Sequence, residues 1–100
     1  MLVKTITWTR PDKTVAWPWE GLLTEYLSIV EQEPGLIHMS STSTDTTFVQ
    51  TVIWETEADA INHMNHPVNV ALQEAQAPLI VERGITKTVE EQVLENKNAN

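Results

Sequence analysis

The chain contains no cysteine, which excludes a disulfide framework, a thiolate metal site and a cysteine nucleophile. Basic residues are scarce. Six Lys and Arg stand against fourteen Asp and Glu, for a formal net charge of -8. A surface of that sign repels phosphate backbones and no Lys/Arg cluster offsets it, so a nucleic-acid partner is not expected. No apolar run approaches the ~20 residues of a membrane span. The start Met1-Leu2-Val3-Lys4 enters strand-like sequence at once, without the apolar h-region of a signal peptide. The expectation is a cytoplasmic protein with no membrane partner. The GxGxxG, GxxxxGK[ST] and GxSxG patterns are absent as well, which removes dinucleotide, P-loop and nucleophile-elbow chemistry.

With 41% hydrophobic and 20% charged residues, the chain reads as one ordinary globular domain over 1–94, followed by a polar tail at 95–100. Residues 2–10 are rich in β-branched and aromatic types and predict a first strand, closed by Pro11-Asp12. A loop carrying Lys13 and Trp17 follows, then a helix with Pro18 in its first turn and Glu20 near its positive end. Leu22, Leu23, Tyr26, Leu27 and Val30 form its apolar stripe, and Pro34-Gly35 stops it. Leu36 to Ser43 predicts a second strand, with Ile37, Met39 and Ser41 on one face and Leu36, His38 and Ser40 on the other. Thr44-Asp45-Thr46 makes a hairpin turn into a third strand over 47–55. Thr56 and Asp59 then form a capping-box-like start to a helix whose stripe begins at Ala58, Ile61 and Met64 or Asn65. His66-Pro67 breaks it, with His66 read as a C-terminal residue facing free carbonyls. Val68, Ala71, Leu72 and Ala75 continue on a second short helix to Ala77-Pro78, Leu79 to Gly84 connects, and Ile85 to about Leu94 is the last strand.

The order β-α-β-β-α-α-β predicts an α+β fold of the ferredoxin-like, split β-α-β type: an antiparallel four-stranded sheet with helices on one face. The third strand carries apolar residues on both faces, Phe48, Val52 and Trp54 alternating with Val49, Thr51 and Ile53. Helices on one side cover only one of those faces, so a homodimer packed sheet to sheet is expected to cover the other.

Taken together, PGLIHMSST, FVQTVIWETEADAINHMNHP and ALQEAQAPLIVERGI resemble the antibiotic-biosynthesis-monooxygenase-type proteins of the dimeric α+β barrel superfamily. The resemblance spans about residues 2–93 and rests on the order and spacing of its elements. It implies a dimeric barrel, no cofactor, and a cavity between sheet and helices. One activity in that superfamily is the oxygenation of phenolic aromatic molecules without metal or flavin; the alternative is a non-catalytic ligand-binding or interaction module. The haem-degrading branch uses an Asn on the first strand and a Trp and a His on the helical segment. Here the first strand carries Thr5, Thr7 and Thr9, and the helical positions hold His63 and Gln73, so haem degradation is not expected.

For a phenol-enclosing cavity the substrate-contacting candidates are Trp8, Tyr26, Trp54 and Asn62, the last placed by helix periodicity. His38 and His63 are the candidate catalytic residues, because imidazole suits general base work near neutral pH. His63 and His66 stand three apart near a helix end, but a metal needs a third ligand and no HExxH pattern supplies one, so no metal is expected. Trp17-Pro18-Trp19 places two large indoles at a helix start. One is expected to staple the loop, and the other to close the pocket mouth or join the dimer contact.

Overall fold

The computed structural model describes residues 1–94, with the side chains of residues 23–25 set aside. The tail read over 95–100 lies outside the described residues. Seven elements follow the predicted order: β1 (Leu2–Thr9), α1 (Leu23–Val30), β2 (Leu36–Ser43), β3 (Thr47–Trp54), α2 (Glu57–Met64), α3 (Pro67–Glu82) and β4 (Thr86–Val93). They build a four-stranded sheet in the order β2-β3-β1-β4. Every neighbouring pair is antiparallel, which makes this an α+β ferredoxin-like sheet.

The ladders decide which side chains share a face. Trp8 pairs with Phe48, Ile6 with Gln50, Lys4 with Val52 and Leu2 with Trp54 across β1 and β3. On the other flank of β1, Trp8 faces Lys87 and Ile6 faces Val89. These residues stand on the helix side. Val3, Thr5 and Thr7, with Thr51, Val49 and Ile53 of β3, occupy the opposite side, where no helix lies, and are half-buried.

Four details depart from the sequence reading. The helix expected from Pro18 starts at Leu23, because Trp17-Pro18-Trp19 folds into a buried turn instead. Arg10 holds that turn by donating to the Val15 carbonyl at 2.8 Å, and its guanidinium lies 4.5 Å over the Trp17 ring. Arg83 holds it from the far end of the chain, donating to the carbonyls of Ala16 and Trp17. Trp17 and Trp19 stack at 5.1 Å and Trp8 meets Trp19 edge-on at 4.9 Å, so Trp17 serves packing while Trp19 also reaches the space between sheet and helices.

The second departure is Pro78, which does not end its helix. α3 runs through it to Glu82. Pro78 and Glu74, four residues earlier, are both exposed, so the carbonyl that loses its N–H partner at Pro78 sits on the solvent side, where water substitutes. The third concerns His66, which is the N-cap of α3 rather than the end of α2. Its Nδ1 accepts from the Val68 N–H at 3.2 Å. The fourth is the direction the helices face. α2 buries Ala60 and His63 while Ile61 and Met64 stay exposed, and α3 buries Asn69, Leu72 and Gln76 while Ala71 and Ala75 face out. The inward stripe of both helices is partly polar. Thr56 does cap α2 as its sequence suggests, accepting the Asp59 N–H at 3.1 Å.

Candidate functional site

Two apolar clusters occupy the two ends of the space between sheet and helices. One gathers Leu2, Val30, Val52, Trp54 and Ala60, and the other Trp8, Trp17, Trp19 and Ile85. The sheet rungs between them carry Ile6, Gln50 and Val89, which are too small or too polar to fill the gap. A cavity of about 340 Å³ remains there, a size suited to a small organic molecule. Its aromatic wall is Trp8, Trp19, Phe48 and Trp54, and α3 contributes Asn69, Gln73 and Gln76.

His63 stands on this wall, 8% exposed, at the last turn of α2. Its ring is tilted against Trp54 at 5.1 Å. Nδ1 lies 2.9 Å from Glu33 Oε1, and Nε2 lies 3.0 Å from Tyr26 Oη. A carboxylate only accepts, so Nδ1 carries the hydrogen and donates it to Glu33. In the neutral ring Nε2 is then an acceptor, and the Tyr26 hydroxyl donates to it. That leaves the Tyr26 oxygen with free lone pairs at a cavity-lining position. A substrate hydroxyl can donate there, its proton moving to Tyr26 as the Tyr26 proton moves to His63. Glu33 stabilises the imidazolium so formed.

The turn after α1 places Glu33. Gly35 there has φ +86°, a backbone that side-chain-bearing residues rarely adopt, and an added Cβ would overlap the Asp59 carboxyl. The Gly35 carbonyl accepts the Glu55 N–H at 2.7 Å. The turn carrying Glu33 is thereby fastened to the junction from which α2 delivers His63.

Burial, with the charge of Glu33 as the second cause, pushes the Tyr26 phenol up to about 12. The chain has one tyrosine, so its ionisation is read directly from the tyrosinate difference absorbance. We expect a midpoint near 12 in the native protein and near 10.0 in denaturant. The folded phenol holds its proton more tightly than the unfolded one. Tyr26 therefore takes nothing from stability below pH 10, and stability falls as the pH rises from 10 towards 12. Glu33→Gln should move the native midpoint only part of the way back, since burial is the larger cause. A native midpoint at 10 would show that Tyr26 is not enclosed.

The candidates read from sequence divide cleanly. Trp8, Tyr26, Trp54 and His63 all line the cavity. Asn62 is exposed on α2 and His38 is exposed on β2, and neither is on the cavity wall. His38 pairs with Ile53 on the helix-free side of the sheet. A register shift between Leu36 and His38 squeezes out Ile37, which brings Leu36 opposite Trp54 and onto the same side as Met39. His63 and His66 do not share a ligand, as His66 is taken up in its cap, and no metal-holding group of three side chains occurs among the described residues. Glu33 carries no local signal of a role, because its contact with His63 spans 30 positions.

No family model matches the chain, and no curated protein matches it by sequence. Solved structures do match. A proposed antibiotic biosynthesis monooxygenase from Deinococcus radiodurans superposes with a TM-score of 0.71 at 15% identity, covering 96% of this chain and 94% of that one. The fold is that of the antibiotic biosynthesis monooxygenases. SnoaB, a cofactor-independent oxygenase from Streptomyces nogalater, superposes with a TM-score of 0.69 at 11% identity over 96% of this chain and 94% of that one. A Methanosarcina mazei protein matches with a TM-score of 0.70 at 10% identity over 95% and 94%. At such identities the monooxygenase-type likeness concerns architecture. No helix among the described residues is long and apolar enough to cross a membrane.

Proposed function

We propose that the chain is a small-molecule oxygenase that works without metal or flavin on an electron-rich aromatic substrate enclosed beside Tyr26 and His63. The observation that carries this reading is the Glu33–His63–Tyr26 chain opening onto an aromatic cavity. The chemistry suited to it begins with removal of a proton from a phenol or from an activated CH2 group. The resulting anion reduces dioxygen and forms a C–O bond, giving a hydroperoxide. Loss of the C–H proton that remains on the oxygenated carbon, with cleavage of the O–O bond, leaves a carbonyl and water. Per turnover the carbon loses four electrons and O2 gains four, one oxygen atom entering the product and the other leaving as water. Enclosure by Trp8, Trp19 and Trp54 keeps bulk water from the anion.

The test is oxygen uptake with anthrone and hydroxylated naphthalenes as probes. One O2 should be consumed per new carbonyl, and isotopically labelled dioxygen should appear in the product. Binding of these probes with no uptake by any of them would favour a non-catalytic ligand-binding module.

The same reading includes a homodimer. The helix-free side of the sheet holds Val3, Val49 and Ile53 among threonines, and a second copy covers such a surface with a self-complementary patch. Val49 lies on a central strand, between Thr7 and Thr42. Val49→Lys is therefore expected to shift the mass in light scattering from twice 11.3 kDa to 11.3 kDa, with the far-UV spectrum unchanged. A wild-type protein already at the smaller mass would end the dimer reading.

A further inference from the structure

The chain is strongly acidic, with fourteen Asp and Glu against six Lys and Arg. Its cavity is not. Among the described side chains no carboxylate lines it, while two of the six basic residues, Lys4 and Lys87, do. The sheet explains how they arrive there. Lys4 on β1 and Lys87 on β4 both fall on the helix side of their ladders, in register with Val52 and Trp8. Neither ammonium is well neutralised. Among the described residues Lys4 pairs with one carboxylate, Glu91, at 3.8 Å and itself 54% exposed, and its ammonium also lies 3.2 Å from the Met64 sulfur. Lys87 has as its partners the neutral amide of Gln73, at 3.2 Å, and the face of the Trp8 ring, at 4.7 Å. Burial and then the like charge of Lys4 hold the Lys87 pKa below the usual lysine range. An anion in the cavity would offset both effects, by placing an opposite charge beside the two ammonium groups. A second group is also unspent: Gln76 is 2% exposed, lies on the cavity wall, and its side-chain oxygen has no hydrogen-bond partner. Buried amides are normally paired.

We infer that the cavity takes an anionic aromatic molecule, a ring carboxylate whose charge lies between Lys87 and Lys4 and whose ring rests on Trp8 and Phe48. A donor on the ligand, such as a ring hydroxyl, satisfies Gln76. A carboxylate fits better than a phosphate because the wall is mainly aromatic. It also offers compact ammonium groups and amides rather than an arginine fork or a run of backbone N–H groups. This rests on the proposed reading only in taking the cavity as the ligand site; it does not need oxygenation.

The experiment is calorimetric titration of the full chain with 2-naphthoate, its neutral amide 2-naphthamide, and 2-naphthyl phosphate. 2-Naphthoate should bind about ten- to a hundredfold more tightly than the amide. Lys87→Met, which keeps the apolar stem, should erase most of that preference while leaving amide binding and folding intact. Lys4→Met should erase a smaller share. An amide that binds as well as the acid, or a preference that survives in the Lys87→Met, Lys4→Met double variant, overturns the inference and leaves the cavity as a ligand site. Tighter binding of the phosphate overturns the choice of carboxylate. If none of the three binds, the inference and the cavity reading fail together.

Discussion

Replacing His63 by alanine is expected to lower oxygen uptake by about 10²–10⁴-fold, the usual worth of a positioned acid–base group. The loss should fall on kcat and leave KM nearly unchanged. In the proposed reaction His63 is the residue to which Tyr26 hands its proton, 3.0 Å away, while the aromatic wall that would hold the substrate is built by other side chains. Tyr26→Phe keeps the ring and removes the oxygen that meets the substrate, and a loss of similar size is expected. Glu33 acts through His63, so it is a positioning residue. Glu33→Gln should lower kcat less and displace the pH–rate profile, which a merely structural change would not do. His63→Ala strands the Glu33 carboxylate in a half-buried site, at a cost of about 1–3 kcal/mol. The double variant His63→Ala, Glu33→Gln removes that stranded charge. It should regain stability without regaining turnover, and added imidazole should restore part of the turnover in His63→Ala. Single-variant activity within a few-fold of wild type would remove His63 from the mechanism.

Trp54→Ala should produce the largest loss of stability of any single substitution in the chain. The ring is 1% exposed and packs with Leu2, Val30, Val52 and Ala60. Deleting a buried Trp costs about 3–5 kcal/mol, because the lost transfer energy adds to the cavity left behind. Against a total of roughly 5–15 kcal/mol for a domain, that is a large fraction. At about 4–8 °C per kcal/mol for a domain of this size, the melting temperature should fall by at least ~12 °C. Urea unfolding with an unchanged slope would show that the loss lies in the native state. Trp54→Phe keeps a ring against His63 and should cost about half as much. If Trp54→Ala costs less than about 1 kcal/mol, the cluster at that end of the sheet is not what holds the fold.

What the sequence made legible was local in origin. The strands, the Thr44–Thr46 turn and the Thr56 cap depend on neighbours a few positions apart, and all of them appear where the pattern put them. The start of α1 was out of reach, because the turn that delays it is pinned by Arg83 from 66 residues away. The helix faces misled for a different reason. Periodicity arguments send apolar residues inward, yet α2 and α3 turn His63, Asn69 and Gln76 to the interior because a cavity is there to receive them. Of the candidate site, the aromatic members and His63 were readable from their positions on strands and helices. His38 was a candidate on the condition that its face of β2 points inward, and a one-residue slip at Ile37 sets the alternation of β2 and leaves it opposite Ile53 instead. Glu33, Lys4 and Lys87 become visible only once the sheet and the α1–β2 turn have brought distant positions together.

The opposite signs of surface and cavity bear on the timing of capture as well as on its strength. An anion approaching a body of charge -8 meets long-range repulsion, and within the mouth it meets attraction from Lys4 and Lys87. Repulsion acts over a Debye length and is weakened by salt, whereas the enclosed contacts are screened much less. If the cavity takes an anion as inferred, its entry is expected to quicken as salt rises, and its release to depend on salt much less. On that inference the acidic exterior would act as a kinetic sieve against the bulk pool of small anions, and selection would pass to those with enough apolar surface to gain from the aromatic wall.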